Sequence, residues 1–185
     1  TVVTSGDATV VSAPTRLPLA PSAPVKRPDT PLALPVGYQL HEYRVDKVLG
    51  QGGFGITYLA SDVNLNARVA IKEYLPEQFA CRTVDITVAP RSANDEDFYR
   101  KGLESYLVEA RTLATFRHPH IVRVARFFEA NNTAYMVLEY ERGESLKAWW
   151  RAHADMAEID LLTLLLPLLD GLAVVHASGF LHRDI

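Results

Sequence analysis

The chain has 185 residues, 48% of them hydrophobic, and a formal net charge of −3. That suffices for one domain with a core, or one domain plus a tail, and a near-neutral balance with no long block of one sign excludes the basic footprint of a nucleic-acid binder. The single cysteine, Cys81, excludes an internal disulfide framework and suits a reducing, cytoplasmic setting.

Residues 1–36 carry Pro14, Pro18, Pro21, Pro24, Pro28, Pro31 and Pro35, with no aromatic residue before Tyr38. Recurrent proline blocks helix and ladder hydrogen bonds, and too few large apolar side chains are present to offset the ordering entropy. The expectation is a disordered, partly polyproline-like linker over 1–36, with the folded domain over 37–185. No charged segment precedes an apolar run near Thr1, so no signal peptide is expected, whereas further sequence upstream is.

Tyr43 to Leu49 alternates as a strand, Gly50 to Gly55 turns, and Ile56 to Ala60 is β-branched and aromatic. Asp62 to Ala67 reads as a hairpin connection and Val69 to Lys72 as a third strand. An insertion over 74–93 follows, in which Thr83 to Val88 suggests a small extra hairpin. Asp95 to Phe116 places Phe98, Tyr106, Leu107, Ala110 and Leu113 at helical spacing, with Ser92 or Asn94 as cap candidates and acids in the first turn. Ile121 to Phe128 and Ala134 to Tyr140 are strands about an Asn131–Asn132 turn, and Ser145 to His153 and Ile159 to Ala177 are helical. The apolar run Leu161 to Val175 is too short for a bilayer span and reads as a buried helix that Pro167 kinks or begins. This order gives an α+β fold, an antiparallel sheet with one helix packed on it.

Gly50, Gly52 and Gly55 have the spacing G-x-G-x-x-G, which dinucleotide-binding folds share. In those folds the glycines open a helix whose N-terminus meets the pyrophosphate. Here they lead into Ile56-Thr-Tyr-Leu, which favours a strand. A strand–glycine–strand hairpin can instead fold over a nucleotide, its backbone amides meeting the phosphates, and four glycines in six residues exceed what a tight hairpin requires. Lys72 ends an otherwise apolar strand and needs a carboxylate or phosphate if it is desolvated. Glu104 has Arg100 as a local partner one turn away. Glu109 shares the face of Tyr106 and Leu113, which makes it the better partner for Lys72. Met136 and the scattered histidines lack metal-ligand spacing.

Leu-Gly-Gln-Gly-Gly-Phe-Gly (49–55), Val-Ala-Ile-Lys (69–72), Glu-Ala-x-x-Leu with His-Pro-x-Ile-Val (109–122), Tyr-Met-Val-Leu-Glu-Tyr (135–140) and His-Arg-Asp (182–184) follow the order and spacing of the protein-kinase signature set. From Tyr38 to Ile185 the chain resembles bacterial serine/threonine protein kinases. The resemblance implies a small lobe over 37–138 (a five-stranded antiparallel sheet plus one helix), a hinge over 139–143 and the start of a large lobe over 144–185.

It further implies that Gly50, Gln51, Gly52, Gly53, Phe54 and Gly55 cover the ATP phosphates, and that Lys72 holds the α- and β-phosphates and pairs with Glu109. Leu49 and Ala70 would sandwich the adenine, with Thr57 in the roof where the family prefers valine. Leu138 would be the gatekeeper, and the backbone of Glu139 to Glu141 would meet the adenine edge. Asp184 would accept or orient the proton of the substrate hydroxyl, and Arg183 beside it implies regulation by activation-loop phosphate.

ATP and protein substrates are therefore the expected partners, with Mg2+ held by residues expected beyond Ile185; no nucleic acid and no membrane segment are expected. A pseudokinase or nucleotide-binding interaction module would share the fold, and a dinucleotide-dependent oxidoreductase is separable by whether a helix follows Gly55. The leucine-rich last helix, which large-lobe helices bury in the family, is expected to support self-association through whatever part of it faces water.

Overall fold

The computed structural model describes residues 31–153, 155 and 157–180. Its centre is a six-stranded antiparallel sheet in the order β1-β2-β3-β4-β8-β7. The strands are β1 (Gln39–Leu40), β2 (Tyr43–Gly52), β3 (Gly55–Asp62), β4 (Ala67–Tyr74), β7 (Val124–Ala130) and β8 (Thr133–Glu139). Five of them are those expected from sequence, and the sixth is the two-residue β1, paired with β2 through Gln39–Arg44 and Leu40–Tyr43. A separate two-stranded sheet joins β5 (Ala80–Arg82) to β6 (Val88–Pro90), which is the small hairpin foreseen in the insertion.

Local chemistry accounts for the turns. Asp62 Oδ1 accepts from the amides of Asn64 and Leu65, both at 2.9 Å, closing the β3–β4 connection as an Asx turn. Asn131 and Asn132 both have positive φ, 51° and 57°, the backbone of a two-residue type I′ hairpin, which asparagine tolerates better than other side chains. β7 begins at Val124, later than the expected Ile121, because residues 121–123 belong to the loop that leads out of the preceding helix.

That helix, α1 (Glu96–Leu113), packs one face on the sheet through Tyr99, Tyr106 and Ala110. A single 3-10 turn, Ala93–Asp95, precedes it. Ser92 stands at the N-cap of that turn but makes no capping bond to an amide; its hydroxyl instead donates to Asp95 Oδ2 at 2.6 Å. Tyr74 stands between the Tyr99 and Tyr106 rings at centroid separations of 5.6 and 5.5 Å.

The packed chain starts ahead of the composition change at residue 36. Ala33 and Leu34 are buried in the main core, and the Leu34 amide donates to the Tyr58 hydroxyl at 3.0 Å. The boundary expected at 36/37 thus moves towards the N-terminus; the rest of the expected linker, 1–30, lies outside the described residues. Proline spacing hid this, since Ala33 and Leu34 stand between Pro31 and Pro35 and give no periodicity of their own.

Two helices follow the sheet, α2 (Leu146–Ala152), capped by the Ser145 hydroxyl accepting from the Ala148 amide, and α3 (Glu158–Ala177). α3 runs through Pro167, which is therefore not its beginning; the proline removes the amide that would bond the Thr163 carbonyl. At 20 residues α3 is long and apolar enough to cross a membrane, which corrects the shorter span read from the apolar run alone. It is also not the buried helix expected, because only Gly171 and Val175 are buried along it. A Cβ at position 171 would stand 3.1 Å from the His120 carbonyl, so the glycine allows α3 to lie against the loop after α1. His118 Nε2 and Asp170 Oδ2, 3.2 Å apart, join the same two elements.

Candidate active site

β2 and β3 meet at the glycine-rich turn, with Gly52 paired to Gly55 and Gly50 to Thr57. A strand, not a helix, follows Gly55, so the turn lacks the helix N-terminus a dinucleotide fingerprint needs. The glycines divide into two kinds. A Cβ at Gly50, Gly52 or Gly53 would meet nothing within 4 Å, so open space lies over this stretch of the turn. A Cβ at Gly55 would lie 1.8 Å from the Glu73 carbonyl oxygen, so this glycine is required by the packing of β3 on β4. Phe54 at the turn's tip is 76% exposed and Leu49 is 41% exposed, apolar side chains left to water near the turn. Gln51 Nε2 ties the turn to Glu77 Oε1.

Lys72 lies on β4 opposite Thr57 on one side and Met136 on the other; Ala70 lies opposite Leu59 and Leu138. Because side chains alternate along a strand and cross-strand partners share a face, Thr57, Ala70, Lys72 and Leu138 line one face of the sheet. The register therefore gathers the expected roof, adenine platform, phosphate ligand and gatekeeper on one surface, with Gly50 beside Thr57 at its edge. At the end of β8, the Glu139 amide donates to the Arg123 carbonyl at 3.0 Å and its carboxylate accepts from Arg123 Nη1 at 3.0 Å. The Glu141 amide carries no hydrogen bond among the described residues.

The helix α1 approaches from the same side. The Tyr106 hydroxyl donates to the Lys72 carbonyl at 2.8 Å. Burial, together with the nearby charges of Glu109 and Glu73, holds the Tyr106 phenol far above the usual tyrosine range. Glu109, one turn beyond, is half-buried, whereas Glu104 is exposed. Among the described residues no carboxylate lies within 4.0 Å of the Lys72 ammonium, so the Lys72–Glu109 pair is open. Arg100, the expected partner of Glu104, is instead bonded to Glu96 at 2.6 Å. The glutamate N-terminal to the arginine wins because that orientation suits the helix dipole. His182, Arg183 and Asp184 lie outside the described residues.

Sequence reasoning missed a group on the opposite face. Glu73 is fully buried, with Arg82 Nη2 at 2.5 Å and the Tyr58 and Tyr135 hydroxyls each at 2.7 Å. Burial acts to lower the Arg82 pKa, but the bond and charge of Glu73 outweigh it and raise the guanidinium above its ordinary value. A buried Glu next to Lys72 in an alternating strand was a usable signal, since every second residue must face away from the Lys72 side.

The protein kinase domain model matches residues 43–185. The serine/threonine-protein kinase pkn2 of Myxococcus xanthus is 34% identical over 143 residues, covering 77% of this chain and 15% of that protein. PrkC of Bacillus subtilis (strain 168), also a serine/threonine-protein kinase, is 29% identical over 143 residues, covering 77% of this chain and 19% of PrkC. The chain thus spans less than a fifth of the length of these relatives. Among solved structures, the apo form of PpkA-294 superposes with a TM-score of 0.77 at 39% identity, covering 83% of this chain and 55% of that one. The Mycobacterium tuberculosis PknI kinase domain, at 22% identity and a TM-score of 0.60, covers 83% of this chain and 55% of its own and shares the fold. With the family model matching well over half of its length, the chain belongs to the protein kinase domain family.

Proposed function

We propose that this domain binds ATP beneath the Gly50–Gly55 turn and transfers its γ-phosphoryl group to serine or threonine hydroxyls of proteins. The observation that carries this reading is the register, which places Lys72 and Ala70 on one face with Thr57 and Leu138, while Gly50, Gly52 and Gly53 leave open space where a side chain would otherwise stand. An ammonium with no carboxylate within reach can take phosphate oxygens, and the unbonded Glu141 amide with the Glu139 carbonyl can take the adenine edge. Leu49 and Ala70 then close on the two faces of the base.

Asp184 would take or orient the hydroxyl proton, and Glu109 would swing onto Lys72 to fix the phosphates. Among the described residues no group of three or more His, Cys, Asp or Glu side chains could hold a metal. Magnesium, which neutralises phosphate charge in this chemistry, would be held by the nucleotide together with the ligands expected beyond Ile185.

The open Lys72–Glu109 pair favours one second reading, a nucleotide-binding interaction module that does not turn over. Kinases at rest also hold this helix away from the lysine, so turnover decides. Whole protein incubated with γ-labelled ATP, magnesium and a generic protein substrate should yield acid-stable phosphoserine or phosphothreonine. Nucleotide binding with no label transfer would leave the binding module as the function.

A further inference from the structure

Strand β4 is held from both faces at Lys72 and Glu73. On the α1 side the Lys72 carbonyl accepts from Tyr106, and at the turn the Glu73 carbonyl abuts Gly55. On the far side the Glu73 carboxylate accepts three bonds, from Arg82 Nη2 and Tyr58 on Oε2 and from Tyr135 on Oε1. The other Arg82 donors leave the sheet. Its Nε donates to the Leu32 carbonyl at 2.7 Å and its Nη1 to the Ile86 carbonyl at 2.8 Å. Tyr58 in turn accepts from the Leu34 amide.

Arg82 therefore fastens three pieces of chain at one point: the segment Leu32–Leu34, the β5–β6 insertion and the strand of Lys72. Its side chain is 5% exposed and that of Glu73 is 0% exposed. Without the guanidinium this buried carboxylate would be left with no opposite charge beside it. The guanidinium in turn reaches it only because the insertion folds back over the sheet. The Val88 amide bonded to the Asn131 carbonyl, and the Asn132 side chain bonded to the Val88 carbonyl, both at 2.8 Å, seat the insertion on the β7–β8 turn.

We propose that Arg82 and Glu73 are positioning residues for Lys72, and that the docked segment Leu32–Leu34 is part of the device, so that nucleotide affinity depends on contacts on the face of the sheet away from the nucleotide. This rests on the reading of Lys72 as a phosphate ligand. It gives the 74–93 insertion a role, which is to deliver Arg82.

The test uses the whole protein and two readouts, steady-state kinetics in ATP and hydrogen exchange without nucleotide. Arg82→Met should raise the KM for ATP by about tenfold with a smaller change in kcat, as loosened positioning does. Arg82→Lys, which keeps a charge for Glu73 but cannot reach Leu32 and Ile86 as well, should fall between. Leu34→Ala leaves no unpaired charge and should raise KM in the same direction, which guards against a variant that merely fails to fold. The double variant Glu73→Gln with Arg82→Met should regain thermal stability but not KM. Exchange in Arg82→Met should quicken both at 32–36 and at the amides of Ile71 to Tyr74.

An unchanged KM in Arg82→Met, full recovery of KM in the double variant, or quickened exchange at 32–36 with β4 untouched would each overturn the proposal. If the unsubstituted protein binds no nucleotide, the reading of Lys72 fails separately, and the exchange result alone still decides whether the far face holds β4.

Discussion

The Tyr106 hydroxyl donates to the main-chain carbonyl of Lys72 at 2.8 Å, so α1 is bonded to the strand that carries the candidate phosphate ligand even while Glu109 stands clear of the lysine. Tyr106→Phe removes this bond with little change of shape. A net loss of about 1 kcal/mol follows for a buried hydrogen bond, read as a drop of a few degrees in thermal denaturation. The KM for ATP should rise along with it. Unchanged melting and unchanged KM would show that the bond does not hold helix and strand together.

Lys72→Met and Asp184→Asn in the whole protein should each reduce phosphoryl transfer by at least ~100-fold, the usual loss when a positioned charge or an acid–base group is removed. Nucleotide affinity separates them: Lys72→Met weakens it, whereas Asp184→Asn leaves it nearly normal. Glu109→Gln should behave like a mild Lys72 variant and Glu104→Gln like the unsubstituted protein. Loss of activity in Glu104→Gln with full activity in Glu109→Gln would reverse the assignment of the pair.

The shared face of Thr57, Ala70, Lys72 and Leu138 was legible because it is written locally. Gly50 to Gly55, Val69 to Lys72 and Tyr135 to Tyr140 are contiguous runs whose alternation or turn chemistry fixes what each residue faces. The far side was not legible, because Glu73 meets Tyr58, Arg82 and Tyr135 only after the sheet has formed and the insertion has folded back. No spacing rule links these positions. Arg100 was misassigned for a narrower reason. It has a glutamate one turn away in each direction, and only the orientation rule for helix pairs chooses Glu96.

The glycine turn offers a test within a single loop. Gly55→Ala forces a Cβ to 1.8 Å from the Glu73 carbonyl, so strands β3 and β4 must part. Overpacking of this kind costs about 1–3 kcal/mol, occasionally more. Gly52→Ala meets open space and should fold normally, while raising the KM for ATP, because the proposed function brings phosphate to this turn. Thermal melting and nucleotide titration on the two variants should give opposite patterns. Equal melting temperatures would refute the structural role of Gly55.

Burial of tyrosines should give the fold an alkaline limit, and four of them show the cause. Burial first, and then the Glu73 carboxylate, holds the Tyr58 and Tyr135 phenols far above their ordinary range. Burial and Glu109 do the same for Tyr106. Burial and Tyr99 push Tyr74 up to about 12. Each folded value exceeds the unfolded one of about 10, so the stabilisation is fully present below pH ~10 and is lost as pH rises through the folded values. Phenolate absorbance from these residues should thus appear together with loss of circular dichroism. Complete phenolate formation near pH 10 in a still-folded protein would contradict their burial.

Along α3, large apolar side chains face water. Leu166 and Leu169 are 60% and 55% exposed. They stand three residues apart, so they neighbour each other on one helix face. Ile159, Leu162 and Leu168 are exposed as well, so the helix presents a large apolar surface to water while only Gly171 and Val175 are buried. At roughly 25 cal/mol per Å2, covering even a few such leucines gains several kcal/mol, enough to compare with the net stability of a domain. The 185-residue chain should therefore self-associate through α3 at micromolar concentration. Light scattering on the purified chain should show dimers or larger species. A variant carrying Leu166→Lys and Leu169→Lys should shift the population to monomer without loss of the β-sheet signal, because neither side chain belongs to the main core. A stable monomer of the unsubstituted chain would show that these leucines fold away in solution, and the packing argument would fail.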